Sequence, residues 1–289
     1  MSSFELVCSL ECRLGESPVW CPDRRELLFV DITGRAVHRF SPQSGELKSI
    51  PVDEDVGFIA PTRAGRYVTG RCSGIWLLDE HARKIKCLAL NPGDERTLRF
   101  NDGAIDPRGR LIIGTIDQTR REGRAGLYLL GVDGLIEYAA GLLTSNGVAF
   151  APDGRTLYHS DTPRFVIYRR DYFPESGAAG AASVFVQLDP NAYDRARPDG
   201  AAVDSAGNYW VALYEGSRVH QYDPAGQLIE AHPVPARIPT MPAFGGSDLK
   251  TLYLTTARDA DGSGGGLYAM RVGTAGTPRP LFDEESFLP

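Results

Sequence analysis

The stretch Ser145-Asn-Gly-Val-Ala-Phe-Ala-Pro-Asp-Gly-Arg-Thr-Leu-Tyr158 carries the pattern that decides the fold. A polar residue and a glycine open it, and a short apolar run, a Pro-Asp-Gly turn and a second apolar run follow. Turn residues between two short apolar runs are typical of a β-hairpin. The same phrase returns along the chain, most clearly at Asn101 and at Asp199.

The phrase occurs six times with a nearly regular spacing. The copies open at Glu16, Gly57, Asn101, Asn146, Asp199 and Met241, so the spacings are 41, 44, 45, 53 and 42 residues. A period in the forties is typical of a propeller or another repeat architecture. Further short strand candidates follow each copy, such as residues 74–78, 135–139 and 218–222, and no long stretch has helical periodicity. We therefore predict an all-β fold, a six-bladed β-propeller whose blades contain four antiparallel strands.

The repeat also predicts the domain organisation. A single unit cannot bury its apolar face alone, so residues 1–289 are expected to form a single six-bladed β-propeller domain. The sixth copy runs out of strand candidates after residue 271, whereas residues 4–10 alternate like a half-buried strand before the first copy. We expect this N-terminal strand to close the last blade.

Composition and charge narrow the classes of partner. The chain is 42% hydrophobic and 24% charged, with a net charge of −6. A negative balance argues against nucleic acid and anionic membrane surfaces, and no apolar run approaches the ~20 residues that span a bilayer. The five cysteines are odd in number and form no Cys-x-x-Cys pair, which favours free thiols. Because the N-terminus also lacks the pattern of a signal peptide, we expect a cytoplasmic location.

The residue that opens each copy is the candidate functional position. In a propeller the innermost strand of each blade lines the central channel, so the six opening residues are expected at one height on its upper rim. Four of them are acids or amides, namely Glu16, Asn101, Asn146 and Asp199. Such an oxygen-rich set suits a hard divalent cation. Asn-Gly and Asp-Gly are also ordinary turn residues, but turn chemistry does not require four of them to share one register.

Other residues are expected around this ring. Arg99 lies two residues before Asn101, so both side chains can point to the same face of a strand. The arginine-rich segment 117–126 is a candidate lid, because the loop after a second strand returns to the same rim. Asp161 and Tyr214, at the ends of other second strands, are candidates for a surrounding layer.

Several motifs resemble those of one known family. Gly15-Glu-Ser-Pro-Val-Trp, Arg99-Phe-Asn-Asp-Gly, Gly114-Thr, Ser145-Asn-Gly and Pro198-Asp-Gly occur in the order and spacing of the senescence marker protein, gluconolactonase and luciferin-regenerating enzyme family. This resemblance extends over nearly the whole chain. It implies one divalent metal ion bound by Glu16, Asn146 and Asp199. For catalysis, we expect either Asp199 or hydroxide on the metal to activate the attack. Arg99 and Asn101 are then implied to contact the substrate, although in the related diisopropyl fluorophosphatase the equivalent Asn is itself a ligand.

The stretches 158–162 and 249–258 are more similar to bacterial sugar lactonases than to animal proteins of the family. The resemblance thus implies metal-dependent hydrolysis of a sugar lactone, from aldonolactone to aldonic acid, in carbohydrate catabolism. Ca²⁺, Zn²⁺, Mn²⁺, Mg²⁺ and Fe²⁺ all remain open as the metal. Animal members carry glutamates soon after Gly-Thr, where this chain has Asp117-Gln-Thr-Arg-Arg, so substrate contacts from that loop are not carried over.

Two alternatives remain at this point. The same oxygen-rich ring could serve a phosphotriesterase-like hydrolase, or the chain could be a non-catalytic propeller that binds calcium or acts as a scaffold. A fold alone does not distinguish them. The sequence does not specify the sugar, the size of the lactone ring or the oligomeric state.

Overall fold

The strands of the protein form six antiparallel sheets arranged around one axis. The computed structural model describes residues 3–192 and 195–288. This part of the chain contains 25 strands and, besides them, the short 3₁₀ helices Thr162–Arg164 and Glu285–Phe287. Neither of these helices is long and apolar enough to cross a membrane.

Each sheet is one blade, and its strands are named here from the channel outward. Blade 1 contains β2 (Gly15–Cys21), β3 (Glu26–Asp31), β4 (Ala36–Phe40) and β5 (Leu47–Pro51). Blade 2 contains β6 (Val56–Pro61), β7 (Tyr67–Arg71), β8 (Gly74–Leu78) and β9 (Lys84–Leu90). Blade 3 contains β10 (Leu98–Ile105), β11 (Leu111–Asp117), β12 (Ala125–Gly131) and β13 (Gly134–Leu142).

The second half of the chain follows the same plan. Blade 4 contains β14 (Ser145–Phe150), β15 (Thr156–Asp161), β16 (Val166–Phe173), β17 (Ala178–Ala179) and β18 (Ser183–Gln187). Blade 5 contains β19 (Arg197–Val203), β20 (Tyr209–Tyr214), β21 (Arg218–Tyr222) and β22 (Leu228–Pro233). Blade 6 contains β23 (Pro239–Gly245), β24 (Thr251–Thr256), β25 (Leu267–Arg271) and β1 (Glu5–Cys8).

The inner strands close a ring. Each inner strand contacts the inner strands of both neighbouring blades, and β23 of the last blade contacts β2 of the first. The predicted six-bladed β-propeller is therefore confirmed. The strand candidates at 74–78 and 218–222 have the predicted bounds, whereas the one at 135–139 is longer and runs over Gly134–Leu142.

The two chain ends meet in blade 6, as the sequence predicted. Strand β1 pairs antiparallel with β25, with Glu5 opposite Ala269 and Leu6 opposite Tyr268. This pairing supplies the outermost strand that the sixth repeat lacks. It also covers the edge of β25, which would otherwise expose unpaired backbone groups.

Blade 4 differs from the simple four-stranded plan. Its outer position is shared by β18, which pairs with Val166–Arg169, and by the two-residue strand β17, which pairs with Tyr172 and Phe173. The long spacing of 53 residues after Asn146 therefore reflects an extended β16 and this additional strand.

The chain after β25 forms a strap across the lower face of the propeller, where the inner strands end. Phe282 is fully buried, and its backbone bonds to Pro61 and Arg63 next to the end of β6. Gly276 forms a bridge with Asp204 just after the end of β19. The strap covers a cavity of about 180 Å³ that is lined mainly by apolar residues of the inner strands.

The closing strand generates a stability prediction. Phe4, just before β1, is 2% exposed and belongs to a buried cluster between blades 5 and 6, whereas Leu6 on the same strand is 53% exposed. We expect Phe4→Ala to lower the free energy of unfolding by about 3 kcal/mol, because it leaves a cavity between blades 5 and 6. The matched control Leu6→Ala should stay within about 0.5 kcal/mol of the wild type. Urea denaturation measures both, and equal effects of the two variants would contradict closure by this strand.

Candidate active site

A β-bulge interrupts the inner strand of every blade at a similar height. The pairing register shifts between Glu16 and Val19, Val56 and Phe58, Phe100 and Gly103, Asn146 and Ala149, Pro198 and Ala201, and Pro239 and Met241. Each shift lies at or beside the residue that opens the corresponding sequence repeat. Because a bulge disturbs the alternation of a strand, it can re-aim a side chain. The six bulges therefore mark the level at which the predicted ring lies.

Four of the predicted residues form one chain of hydrogen bonds. Arg99 Nη1 donates to Asn101 Oδ1 at 2.7 Å, and Asn101 Nδ2 donates to Asn146 Oδ1 at 2.6 Å. Asn146 Nδ2 in turn donates to Asp199 Oδ1 at 2.6 Å. All four side chains are buried. Residues separated by more than forty positions along the chain are thus brought into direct contact.

Glu16 completes the ring from blade 1. It is buried, and its Oε2 accepts a hydrogen bond from the backbone nitrogen of Ser17 at 3.0 Å. Ser17 has a left-handed φ of 50°, and its hydroxyl accepts from Ile59 N at 3.0 Å and donates to Ile59 O at 3.2 Å. These bonds to blade 2 hold the backbone that carries Glu16.

The two ring positions without an acid or an amide have packing roles. A Cβ at Gly57 would lie 2.2 Å from Phe100 O and 2.9 Å from Arg99 Nη1, so the absence of a side chain makes room for the Arg99 guanidinium. Met241 packs against Gly200, where a Cβ would lie 2.4 Å from Met241 Cγ. The departures of blades 2 and 6 from the oxygen-rich pattern therefore shape the ring.

The electrostatics of the ring favour a cation. Burial raises the pKa of Glu16 well above its usual value, and the negative charges of Asp199 and Asp102 raise it further. Burial, followed by the charge of Asp102, likewise raises the pKa of Asp199. No salt bridge within 4.0 Å joins Glu16 or Asp199 to a basic side chain in residues 3–192 and 195–288. Carboxylate and amide oxygens in this arrangement fit a hard divalent cation, which would offset the repulsion.

Asp102 and Tyr209 are site residues that the sequence reasoning missed. Asp102 accepts hydrogen bonds from Gly103 N at 2.7 Å and from Val148 N at 2.8 Å, and Tyr209 Oη donates to Gly147 O at 2.8 Å. Gly147 has a left-handed φ of 58°, and a Cβ there would lie 2.3 Å from the Tyr209 hydroxyl oxygen. Both side chains therefore hold the segment that follows Asn146. The only sign of this role in the sequence was Asp102 in the Asn-Asp-Gly motif, and by sequence it is indistinguishable from a turn residue.

The surrounding layer is only partly as expected. Tyr214 is half-buried beside the ring, with the Arg197 guanidinium carbon 5.2 Å from its ring centroid, and Arg197 forms an ion pair with Glu215. Asp161 instead accepts bonds from the backbone nitrogens of Leu143 and Thr144. Asp161 thus stabilises the entry into β14 and does not line the site.

A second group of potential ligands lies in blade 1. Ligand atoms of Cys12, Asp31 and His38 lie within 4.8 Å of one another, and all three residues are buried. The Asp31 carboxylate accepts from the backbone nitrogens of Arg13, Leu14 and Gly34 at 2.9–3.0 Å. Because Asp161 caps the start of its blade in the same way, we interpret Asp31 as a structural residue of the repeat.

Comparison with known proteins gives consistent matches. A family profile described as "SMP-30/Gluconolactonase/LRE-like region" matches residues 14–258. The chain is 38% identical to a 6-deoxy-6-sulfogluconolactonase of Pseudomonas putida, over 93% of this chain and 94% of that protein. It is 35% identical to a pentonolactonase of Haloferax volcanii, over 90% and 87% of the two chains. A calcium-binding protein, regucalcin, of Agrobacterium tumefaciens has a similar structure, with a TM-score of 0.90, 26% identity and 96% coverage of both chains.

Asp102 generates a prediction about pH. Burial raises the pKa of Asp102 from 3.8 to about 6, so the folded protein binds its proton more tightly than the unfolded chain does. The stability linked to this group is therefore present below pH 4 and is lost as the pH rises through 6. In the presence of a chelator, the free energy of unfolding of the wild type relative to Asp102→Asn should fall by about 3 kcal/mol over this range. Urea denaturation between pH 4 and pH 7 measures it, and a constant difference would contradict the prediction.

Proposed function

Because the chain belongs to the SMP-30/gluconolactonase/LRE-like family, we propose that it is a metal-dependent lactonase that hydrolyses a sugar lactone to the corresponding aldonic acid. The observation that carries the proposal is the buried ring of two carboxylates and two amides next to Arg99. The relatives named as lactonases act on sulfonated gluconolactone and on pentonolactone, which supports a lactone as the substrate of this chain.

We assign Glu16, Asn146 and Asp199 as the residues that hold one divalent metal ion. A bound cation supplies Lewis acidity at the lactone carbonyl. As the resemblance to the family implies, Asn101 is assigned to substrate binding together with Arg99, whose guanidinium donates to Asn101 Oδ1 at 2.7 Å. Ca²⁺ is supported by the calcium-binding structural relative, and the oxygen-only ligand set also suits Mn²⁺ and Mg²⁺.

Asp199 is assigned as the general base. The assignment rests on position, because the Asp199 carboxylate lies in the ring and accepts a hydrogen bond from Asn146 Nδ2 at 2.6 Å. Asp199 takes a proton from the attacking water as the water oxygen bonds to the lactone carbonyl carbon. The ring C–O bond then breaks, and the departing oxygen receives the proton as the new hydroxyl group. Arg99 and Asn101 stabilise the negative charge that develops on the carbonyl oxygen.

A second candidate function is calcium binding without catalysis. The likeness to a calcium-binding protein favours it, and the same ring would serve as the ion site. A phosphotriesterase-like activity remains the alternative for the same catalytic groups. Of the three proposals, the lactonase alone predicts metal-dependent release of acid from a lactone.

We also propose a reducing compartment, the cytoplasm, as the location. The five cysteines form no disulfide, and burial raises the thiol pKa of Cys21 to about 11. A buried thiol with such a pKa is poorly reactive, as expected of a structural cysteine.

The experiment that tests the function is a lactone panel with controlled metal content. Protein treated with a chelator would be incubated with glucono-, galactono-, xylono- and arabinono-lactones, before and after addition of single divalent metals. We expect acid release above the spontaneous rate to appear only with metal, and to favour one lactone. A folded protein that is inactive on every lactone with every metal would instead favour the calcium-binding or phosphotriesterase alternatives.

A substitution separates the role of Asp199 from general effects of lost charge. We expect Asp199→Asn to lower kcat by at least about 100-fold, because it removes the base and one anionic ligand. Asp153→Asn, in an exposed turn, is the control and should retain wild-type kcat. Near wild-type turnover in Asp199→Asn would refute the assignment, and thermal unfolding of both variants would show that the fold is intact.

A further inference from the structure

Thr162 lies between the ring residues of blades 4 and 5. It directly follows β15 and opens the 3₁₀ helix Thr162–Arg164. Its Oγ1 accepts a hydrogen bond from Asn146 Nδ2 at 2.9 Å and donates one to Pro198 O at 2.8 Å. Pro198 directly precedes Asp199 in β19. One hydroxyl group therefore contacts the side chain of one proposed metal ligand and the backbone beside another.

The hydroxyl group of Thr162 can act only as an acceptor towards Asn146. A threonine hydroxyl has a single hydrogen, and Thr162 donates it to Pro198 O. The group of Asn146 that faces Thr162 must then be its NH2 group. Asp199 Oδ1 imposes the same orientation, because it accepts from Asn146 Nδ2 at 2.6 Å. Reversing the amide would place its oxygen against two acceptors and would lose both hydrogen bonds.

With its nitrogen held on this side, Asn146 turns its oxygen towards the rest of the ring. Asn146 Oδ1 accepts from Asn101 Nδ2 at 2.6 Å, and Asn101 Oδ1 accepts from Arg99 Nη1 at 2.7 Å. The chain of hydrogen bonds thus runs in one direction, from Arg99, which can only donate, to Thr162 and Asp199. Oxygen is the atom with which an amide side chain binds a hard cation.

The turn that carries Thr162 is held by several contacts. Thr162 N donates to Thr144 O at 3.2 Å, and Phe165 N donates to Thr162 O at 3.1 Å. Phe165 has a left-handed φ of 58°, a conformation that a non-glycine residue keeps only where its surroundings impose it. Arg164 forms an ion pair with the buried Asp161. The half-buried Thr162 hydroxyl is therefore fixed in front of Asn146.

The hydroxyl group at this position is particular to blade 4. In the other five blades, the residue that directly follows the second strand carries no hydroxyl group, and these residues are Ile32, Cys72, Gln118, Glu215 and Ala257. The repeat itself thus does not require a hydroxyl group after the second strand. It occurs in the blade whose ring residue is an amide that must be oriented.

We propose that Thr162 is a positioning residue, which fixes the Asn146 amide with its oxygen available to a metal ion and thereby raises the affinity of the site for a divalent cation. This inference rests on the metal-dependent function proposed above. Loss of a hydrogen-bond partner of a metal ligand typically costs about 10–100-fold in metal affinity. Because Asp199 also accepts from Asn146 Nδ2, we expect an effect at the lower end of this range.

The test measures metal binding directly in four proteins. Chelator-treated wild type, Thr162→Val, Thr162→Ser and Thr69→Val would be titrated with Ca²⁺ and with Mn²⁺ in a calorimeter. Thr162→Val nearly keeps the shape of the side chain but lacks the hydroxyl group, so it should raise the Kd of the ion that the wild type binds more tightly by about 10-fold. Thr162→Ser retains the hydroxyl group and should recover most of the affinity.

Thr69→Val is the matched control. Thr69 is a fully buried residue of blade 2, and its hydroxyl donates to Phe58 O at 2.7 Å. It therefore also bonds to the backbone of an inner strand, but blade 2 contributes no acid or amide to the ring. We expect Thr69→Val to leave the Kd of the metal unchanged.

Thermal unfolding separates positioning from a merely structural role. Each valine variant removes a hydrogen bond and should lower the Tm of the metal-free protein. Only Thr162→Val should also show a smaller rise in Tm on addition of metal, because stabilisation by a bound ion depends on the ratio of its concentration to Kd. At saturating metal, the kcat of Thr162→Val on a lactone should approach that of the wild type, since the proposed ligands and Arg99 are retained.

The outcomes separate this inference from the lactonase proposal. An unchanged Kd in folded Thr162→Val would overturn the role of Thr162 while the lactonase proposal stands. An equal rise in Kd in Thr69→Val would also overturn it, and would assign the effect to the loss of any buried hydroxyl group. A wild type that binds neither ion would overturn the inference together with the metal assignment. The expected rise in Kd in a protein inactive on every lactone would support the inference and overturn the lactonase function alone.

Discussion

The structure depends on buried hydrogen bonds that connect neighbouring blades around the channel. The Ser17 hydroxyl accepts a hydrogen bond from Ile59 N, and the Asp102 carboxylate accepts one from Val148 N. Between blade 6 and blade 1, the Thr240 hydroxyl donates to Gly15 O at 2.6 Å. These groups are buried, so each would be costly to leave without a partner. Because they lie at the level of the bulges, the contacts that join the blades also orient the ring of acids and amides.

This construction concentrates negative charge in a place with little water. Glu16, Asp102 and Asp199 are all buried, and burial is the main reason that the pKa of each is raised. The backbone amides that bond to Asp102 offset only part of this effect. A ring that is electrostatically unfavourable by itself but rich in oxygen ligands is well suited to bind a divalent cation, and the proposed chemistry uses that property.

The ring is also asymmetric in a way that serves binding. Blade 2 contributes Gly57, whose missing side chain leaves space for the Arg99 guanidinium from blade 3. Arg99 lies opposite Ile116 of β11, close to the start of the loop between β11 and β12. The acids Glu16 and Asp199 come from blades 1 and 5, whereas Arg99 comes from blade 3, so the opposite charges of the site meet only at the channel.

Local signals in the sequence determined the architecture. The period of the hairpin phrase, the turn residues and the alternation of residues 4–10 predicted six blades closed by the N-terminal strand, and they placed Glu16, Asn101, Asn146 and Asp199 at one level. The hairpin phrase, its turns and the alternation of residues 4–10 could be predicted because each pattern lies within a short stretch of sequence, and the missing outer strand of the sixth repeat indicated where residues 4–10 would pair. The additional strand of blade 4 and the strap that buries Phe282 were not predicted.

Only the tertiary structure decided which side chains meet. Asp102 bonds to Val148 and Tyr209 to Gly147, across 46 and 62 positions of the chain, so a turn-like Asn-Asp-Gly became part of the support of the site. Asp161, like the candidate Tyr214, lies at the end of the second strand of its blade. Its carboxylate oxygens, however, accept hydrogen bonds from backbone amides. These roles arise because closure of the ring brings distant atoms within hydrogen-bonding distance. No local pattern in the sequence encodes such a distance.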